Sequence, residues 1–193
     1  MVDYIEPRMK KTTAKKKITP KKPEEKHRHI IACLVDNEFG VLARVIGLFS
    51  GRGYNIESLT VAEVSHAENL SRITVVTSGN DMVINQIKAL LERLIPVHKV
   101  VDLSIEGPHV ERELALVKVA SIGESRVEAL RIADIFRGRV MDSAVNSFVF
   151  EVTGTPEKID AFIDLMRPLG LVETCRTGSI AISRGKKSII DGA

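Results

Sequence analysis

The chain has 193 residues, long enough for one domain or two small ones, and its 44% hydrophobic and 27% charged content is that of a globular fold. No run approaches the roughly 18 consecutive apolar residues of a membrane span, and no apolar stretch follows the N-terminal lysines as in a secretory signal. The net charge of +3 is uneven: residues 1–28 carry ten Lys/Arg against four Asp/Glu, and the remainder carries 18 against 21. The body is therefore acidic, which argues against a basic nucleic-acid-binding surface.

The tail "KKTTAKKKITPKKPEEKHR" has few apolar residues and is expected to be disordered over 1–28. A nucleic-acid or membrane arm is the alternative, but the lysines have no aromatics between them and no amphipathic period. From His29 the pattern becomes regular. "HIIACLV" predicts a strand, and Val41, Leu42, Val45, Ile46, Leu48 and Phe49 predict a helix over 41–52 that stops at Gly51-Arg52-Gly53. "NIESLTVAEV" and "LSRITVVTS" predict strands on either side of the turn "HAEN". Ile84, Ile87, Leu91 and Leu94 mark a helix over 81–95 that Pro96 ends, and "VHKVVDLSI" closes the unit as a strand.

After Gly107-Pro108 the order repeats: strand "ELALVKVA", helix 124–137, strands "RVMDSAV" and "SFVFEVTG", a helix in "TPEKIDAFIDLMRPLG" and a last strand "LVETCRTG". Thr155 can cap that helix while Pro156 takes its first position. Ile159, Phe162, Ile163 and Met166 form its buried stripe. The fold class is thus α+β: two ferredoxin-like βαββαβ units, each an antiparallel sheet with two helices on one face. Units of about 75 residues are small for independent cores, so pairing of sheet edges within or between chains would help both. Cys33 and Cys175 are expected as two buried thiols in a reducing cytosol.

Catalytic spacing is missing. There is no HxxxH pair, P-loop, nucleophile elbow or dinucleotide fingerprint, and neither cysteine has a partner at metal-ligand spacing. "HVEREL" at 109–114 reads as the solvated, charged start of a strand more readily than as a zinc or acid-base cluster. RNA-binding domains share the βαββαβ order but stack bases on aromatics of the central strands. "HIIACLV" and "LSRITVVTS" have none, and Phe148 and Phe150 read as core. No catalytic residue, metal ligand or nucleic-acid site is assigned.

What remains is "DNEFGVL" at 36–42. A helix N-terminus offers unpaired N–H groups and partial positive charge to a carboxylate, and Gly40 lets a ligand approach the backbone. Asn37 has an amide for an ammonium or a carboxylate. Asn55 begins the next strand at the far end of that helix, so it reaches the same ligand only across a dimer. With apolar Val41 and Leu42 between the two polar groups, the pattern suits an aliphatic amino acid; a simple helix cap is the plainer alternative.

The string "DNEFGVLARVIGLFSGRGYNIESLTV" resembles the ACT domain of the regulatory small subunit of acetolactate synthase, also called acetohydroxyacid synthase. The likeness continues through "LSRITVVTSG", "HVERELALVKV", "IFRGRVMDS" and "RTGSIAISRG", covering about residues 29–185. It implies an ACT domain over 29–106, an ACT-like domain over 107–185 and a flexible C-terminus over 186–193. It also implies a cytoplasmic, non-catalytic subunit that activates a catalytic large subunit and confers feedback inhibition by valine or another branched-chain amino acid. Thiamine diphosphate, magnesium and FAD are expected on that partner and none on this chain. The implied effector site joins Asn37, Glu38, Phe39, Gly40, Val41 and Leu42 of one protomer to Asn55 and Ile56 of a second in an ACT homodimer. Phe39 departs from the family, which usually has a small residue or proline there; pointing inward it would crowd the pocket, pointing outward it would change little. A stand-alone double-ACT sensor acting on another partner is the alternative function.

Overall fold

A computed structural model describes residues 25–190. The greater part of the expected tail, residues 1–24, and the last three residues, 191–193, lie outside the described residues. The first unit runs β1 (His27–Asp36), α1 (Val41–Ser50), β2 (Ser58–Ser65), β3 (Leu70–Gly79), α2 (Asp81–Leu91) and β4 (Val97–Asp102). Its antiparallel sheet has the order β2-β3-β1-β4. The second runs β5 (His109–Ala120), α3 (Gly123–Ile135), β6 (Arg139–Ser143), β7 (Ser147–Gly154), α4 (Pro156–Met166) and β8 (Leu171–Arg176), with sheet order β6-β7-β5-β8. The two βαββαβ units of the sequence reading are therefore present, in the same strand order.

The helices form where the apolar stripes put them. Val41, Val45 and Phe49 of α1 pack with Ile84, Ile87 and Leu91 of α2 on Ile31, Cys33 and Val35 of β1. In the second unit, Val117, Phe148 and Phe150 of the sheet meet Ile159, Phe162, Ile163 and Met166 of α4. The Asn80 side chain caps α2 through the Val83 N–H, and Thr155 caps α4 through the Lys158 N–H, with Pro156 at the first turn. Phe148 and Phe150 are buried in this core and display no aromatic surface. α2 ends at Leu91, before the expected 95, and Pro96 sits in the following turn, where its carbonyl accepts the Asp36 N–H at 2.9 Å.

One strand was not foreseen. β9 (Ile180–Ser183) pairs antiparallel with His109–Arg112, the first part of β5, and forms a ribbon across the face of the first sheet opposite its helices. Ala181 packs there against Ile30, Ala32, Val76, Val101 and Leu103, with Ile189 beside them. Residues 186–190, expected as part of a flexible terminus, thus include a side chain packed on the body. The ribbon explains "HIIACLV": odd residues of β1 face the helices and even residues face the ribbon, so no polar alternation is needed. Burying each such aliphatic side chain is worth about 1.5–3 kcal/mol. The covering of this face by the ribbon enlarges the first core.

Two sequence expectations are corrected. Cys33 is buried, but Cys175 is exposed, because β8 is an edge strand and Cys175 pairs with Leu116 on the face away from the helices. The "HVEREL" segment is not a solvated strand start. Glu113 is only 5% exposed, and its carboxylate takes two bonds from Arg176 at 2.6 and 2.7 Å. Glu111 is held by Arg28.

Candidate functional site

The turn between β1 and α1 is built from both sides. The Asp36 carboxylate meets His98 Nε2 of β4 at 2.6 Å. The Asn37 N–H donates to the Asn69 carbonyl at 2.7 Å, and Asn69 Nδ2 donates back to the Asn37 carbonyl at 3.4 Å. These bonds occupy the backbone of Asn37, and its exposed side-chain amide takes part in none of them. Gly40 then takes the left-handed conformation (φ 84°, ψ −7°) that a side chain would strain, and it is the residue from which α1 starts. Its carbonyl accepts the Arg44 N–H at 3.0 Å.

No side chain caps α1, in contrast to α2 and α4. The Val41 N–H has only a long 3.4 Å contact to the Glu38 carbonyl. The N–H groups that follow it lie in the first turn, where a helix supplies no acceptor. The start of α1 therefore presents partial positive charge beside an exposed amide, an arrangement suited to a carboxylate next to an ammonium.

The other expected residues are placed unequally. Glu38 and Gly40 are exposed, and the Phe39 ring is fully exposed and points away from the body, so it crowds nothing within the protomer. The Val41 side chain belongs to the core at 4% exposure and leaves only its backbone for a ligand, whereas Leu42 is 38% exposed. Asn55 lies in the loop after α1, its carbonyl accepting from Thr77 Oγ1 at 2.6 Å, and Ile56 packs partly against the first core. With α1 ten residues long, a rise of 1.5 Å per residue puts Asn37 and Asn55 about 15 Å apart along its axis. One protomer does not bring them together.

Sequence reasoning missed the polar contacts between the units, because Arg28 and Glu111 stand 83 residues apart and nothing local pairs them. His29, two residues from His27, is committed to Asp102 at 2.8 Å in a buried pair. Among the described residues no group of three or more His, Cys, Asp or Glu side chains is placed to hold a metal ion, and no helix is long and apolar enough to cross a membrane.

Comparison with known proteins follows this division into two units. A family model described as an AHAS small subunit-like ACT domain matches residues 31–99. A second, described as the small subunit of acetolactate synthase, matches residues 112–185. The acetolactate synthase small subunit of Aquifex aeolicus is 47% identical, with 86% of this chain and 88% of that protein covered. The probable acetolactate synthase small subunit of Archaeoglobus fulgidus is 48% identical over 83% of this chain and 99% of its own. The crystal structure of the acetolactate synthase small subunit from Thermotoga maritima superposes with a TM-score of 0.75 at 36% identity, covering 83% of this chain and 99% of that one. Both units, in order and over nearly the full length of these relatives, are matched, and the chain belongs to the acetolactate synthase small-subunit family.

Proposed function

We propose that this chain is the regulatory subunit of acetolactate synthase in branched-chain amino-acid biosynthesis. It raises the activity of the catalytic large subunit and confers feedback inhibition by valine bound between two copies of its first unit. The observation that carries the effector reading is the start of α1: left-handed Gly40, no capping side chain and an exposed Asn37 amide. Valine's carboxylate lies on the backbone at Gly40–Val41, its ammonium on the Asn37 amide, and Asn55 with Ile56 of the second protomer closes the site. The half-site is open in one protomer, and because α1 holds Asn37 and Asn55 about 15 Å apart, in this reading a second copy completes it.

In this reading the chain binds no cofactor and acts on no nucleic acid or membrane; thiamine diphosphate, magnesium and FAD belong to the catalytic partner, in the cytoplasm. Valine inhibits because it binds a dimer geometry whose complex with the large subunit is less active, since only differential affinity shifts two states. A coupling of roughly 1–3 kcal/mol gives about a 5–150-fold effect. The test is Asn37→Ala and Gly40→Asp in the reconstituted holoenzyme. The second variant adds a negative charge where the ligand's carboxylate sits and a side chain where φ is positive. Valine inhibition is expected to be lost while activation survives; inhibition retained in both variants overturns the site.

A further inference from the structure

Between the two units lies a polar cleft of about 490 Å³, with Glu57 and Ser58 on one wall and Arg176, Gly178 and Ser179 on the other. Glu57 and Ser58 directly follow Asn55 and Ile56. Ser58 Oγ accepts the Ser179 N–H at 2.8 Å, and Ser179 is only 2% exposed, so water competes little for this bond. Arg28 places two nitrogens on the Glu111 carboxylate at 3.1 and 2.5 Å, reaches Ser179 Oγ at 3.3 Å and stands 3.8 Å from Glu57. Glu57 is also held by the Ser78 hydroxyl.

At Gly178 the two walls of the cleft touch. Gly178 has φ +81°, and a Cβ there would lie 2.4 Å from Ser58 Oγ. Behind it the segment is fixed to the second unit. The Thr177 N–H donates to the Leu114 carbonyl at 3.0 Å, and Arg176 spans Glu113 of β5 and, at 2.6 Å, Asp160 of α4. An unbroken series of contacts thus runs from Asn55 through Ser58 and Ser179 to α4.

We propose that this joint carries effector occupancy from the first unit to the second. The inference rests on the reading of Asn55 as an effector-binding residue. A ligand held by Asn55 and Ile56 constrains the start of β2, and β2 cannot shift there without moving Ser179 or breaking its bond to Ser58. The response therefore appears in the 176–179 segment and in α4, far from the ligand, as a displacement of one packed element against another. The second unit is a transmitting part of the inhibited state.

The experiment uses full-length wild type, Ser58→Ala and Glu111→Gln with L-valine as the probe. Calorimetry reads binding, hydrogen exchange reads residues 174–184, and the holoenzyme reconstituted with its large subunit reads inhibition. In the wild type, valine is expected to change amide protection over 177–179. Each variant is expected to bind valine within about twofold of wild type, to lose that exchange response, and to show at least about a threefold smaller fractional inhibition at saturating valine. Glu111→Gln keeps the inference testable should Ser58→Ala fail to fold. Variants that bind valine and retain both responses overturn the joint and leave the effector site standing. A wild type that binds no valine overturns the effector site, and the joint with it.

Discussion

Arg176 of β8 grips Glu113 of β5 with two bonds, at 2.6 and 2.7 Å, and turns its remaining nitrogen to Asp160 of α4 at 2.6 Å. The guanidinium is one-third exposed while Glu113 is nearly buried, so the pair clamps the sheet edge to a helix. Its cation is held above the ordinary arginine range, by the Glu113 bond first and against the cost of burial. Arg176→Ala leaves a shielded carboxylate without its fork and is expected to cost about 1–3 kcal/mol, read as a lower denaturant midpoint. Arg176→Lys is expected to recover only part of this, because a point charge cannot make the bidentate bond.

The ribbon over the first sheet gives a pair of opposite outcomes from adjacent residues. Ala181 is 3% exposed and faces Ile30, Ala32 and Val76; Ile182 is 59% exposed. Ala181→Asp forces a bulkier, charged side chain against Ile30, Ala32 and Val76, beside an Arg72 already spent on the Ala181 carbonyl at 2.6 Å, and is expected to destabilise by about 3 kcal/mol or more. Ile182→Asp is expected to stay within about 0.5 kcal/mol of wild type. Thermal melts of the two variants side by side decide whether the ribbon seals that face.

The cysteines supply a chemical test of the same architecture. Burial pushes the Cys33 thiol up to about 12, with Arg72 opposing the shift, while Cys175 is exposed. Because the folded state holds the Cys33 proton more tightly, the preference for the thiol is complete below its ordinary value of 9.0 and fades only as pH rises toward 12. A thiol reagent at pH 8 is expected to modify one equivalent in the native protein and two in denaturant. Two native equivalents at comparable rates would contradict the burial of β1.

Acid should loosen the contact between the units. Burial alone would raise the Glu111 pKa, but bonds from Arg28 and Ser179 hold it below the ordinary 4.5, and Arg28 is correspondingly raised by its bond to Glu111. The carboxylate is thus favoured in the folded state. Its contribution is fully present above pH 4.5 and is lost as pH falls through the lowered folded value. Urea midpoints measured from neutral pH downward are expected to drop more steeply below about pH 4.5 for wild type than for Glu111→Gln, which has no charge to lose.

The order of elements was legible because both units bury helix stripes on one face, and periodicity reports that directly. The start of α1 at Gly40 was equally open, since a glycine directly before an apolar helical stripe marks it locally. What could not be read was contact between distant segments. β9 is four residues long, too short for its alternation to stand out, and the Arg28–Glu111 pair leaves no local mark. The uninterrupted "HIIACLV" was the available signal that a second layer exists, since a strand with one wet face would alternate. The outward Phe39 was undecidable from sequence because a turn fixes side-chain direction through φ and ψ, which one neighbouring glycine does not specify.

The long strand β5 makes the internal repeat unequal. Its first four residues pair with β9 over the first sheet, and the rest run through the centre of the second. A fragment ending near residue 106 would keep all its own strands and helices yet bare the hydrocarbon of Ile30, Ala32, Val76, Val101 and Leu103 to water. The boundary that the repeat suggests is therefore a poor place to cut: the front half is finished by the back half, and a soluble fragment of the first unit must retain the ribbon or replace that greasy face with polar side chains.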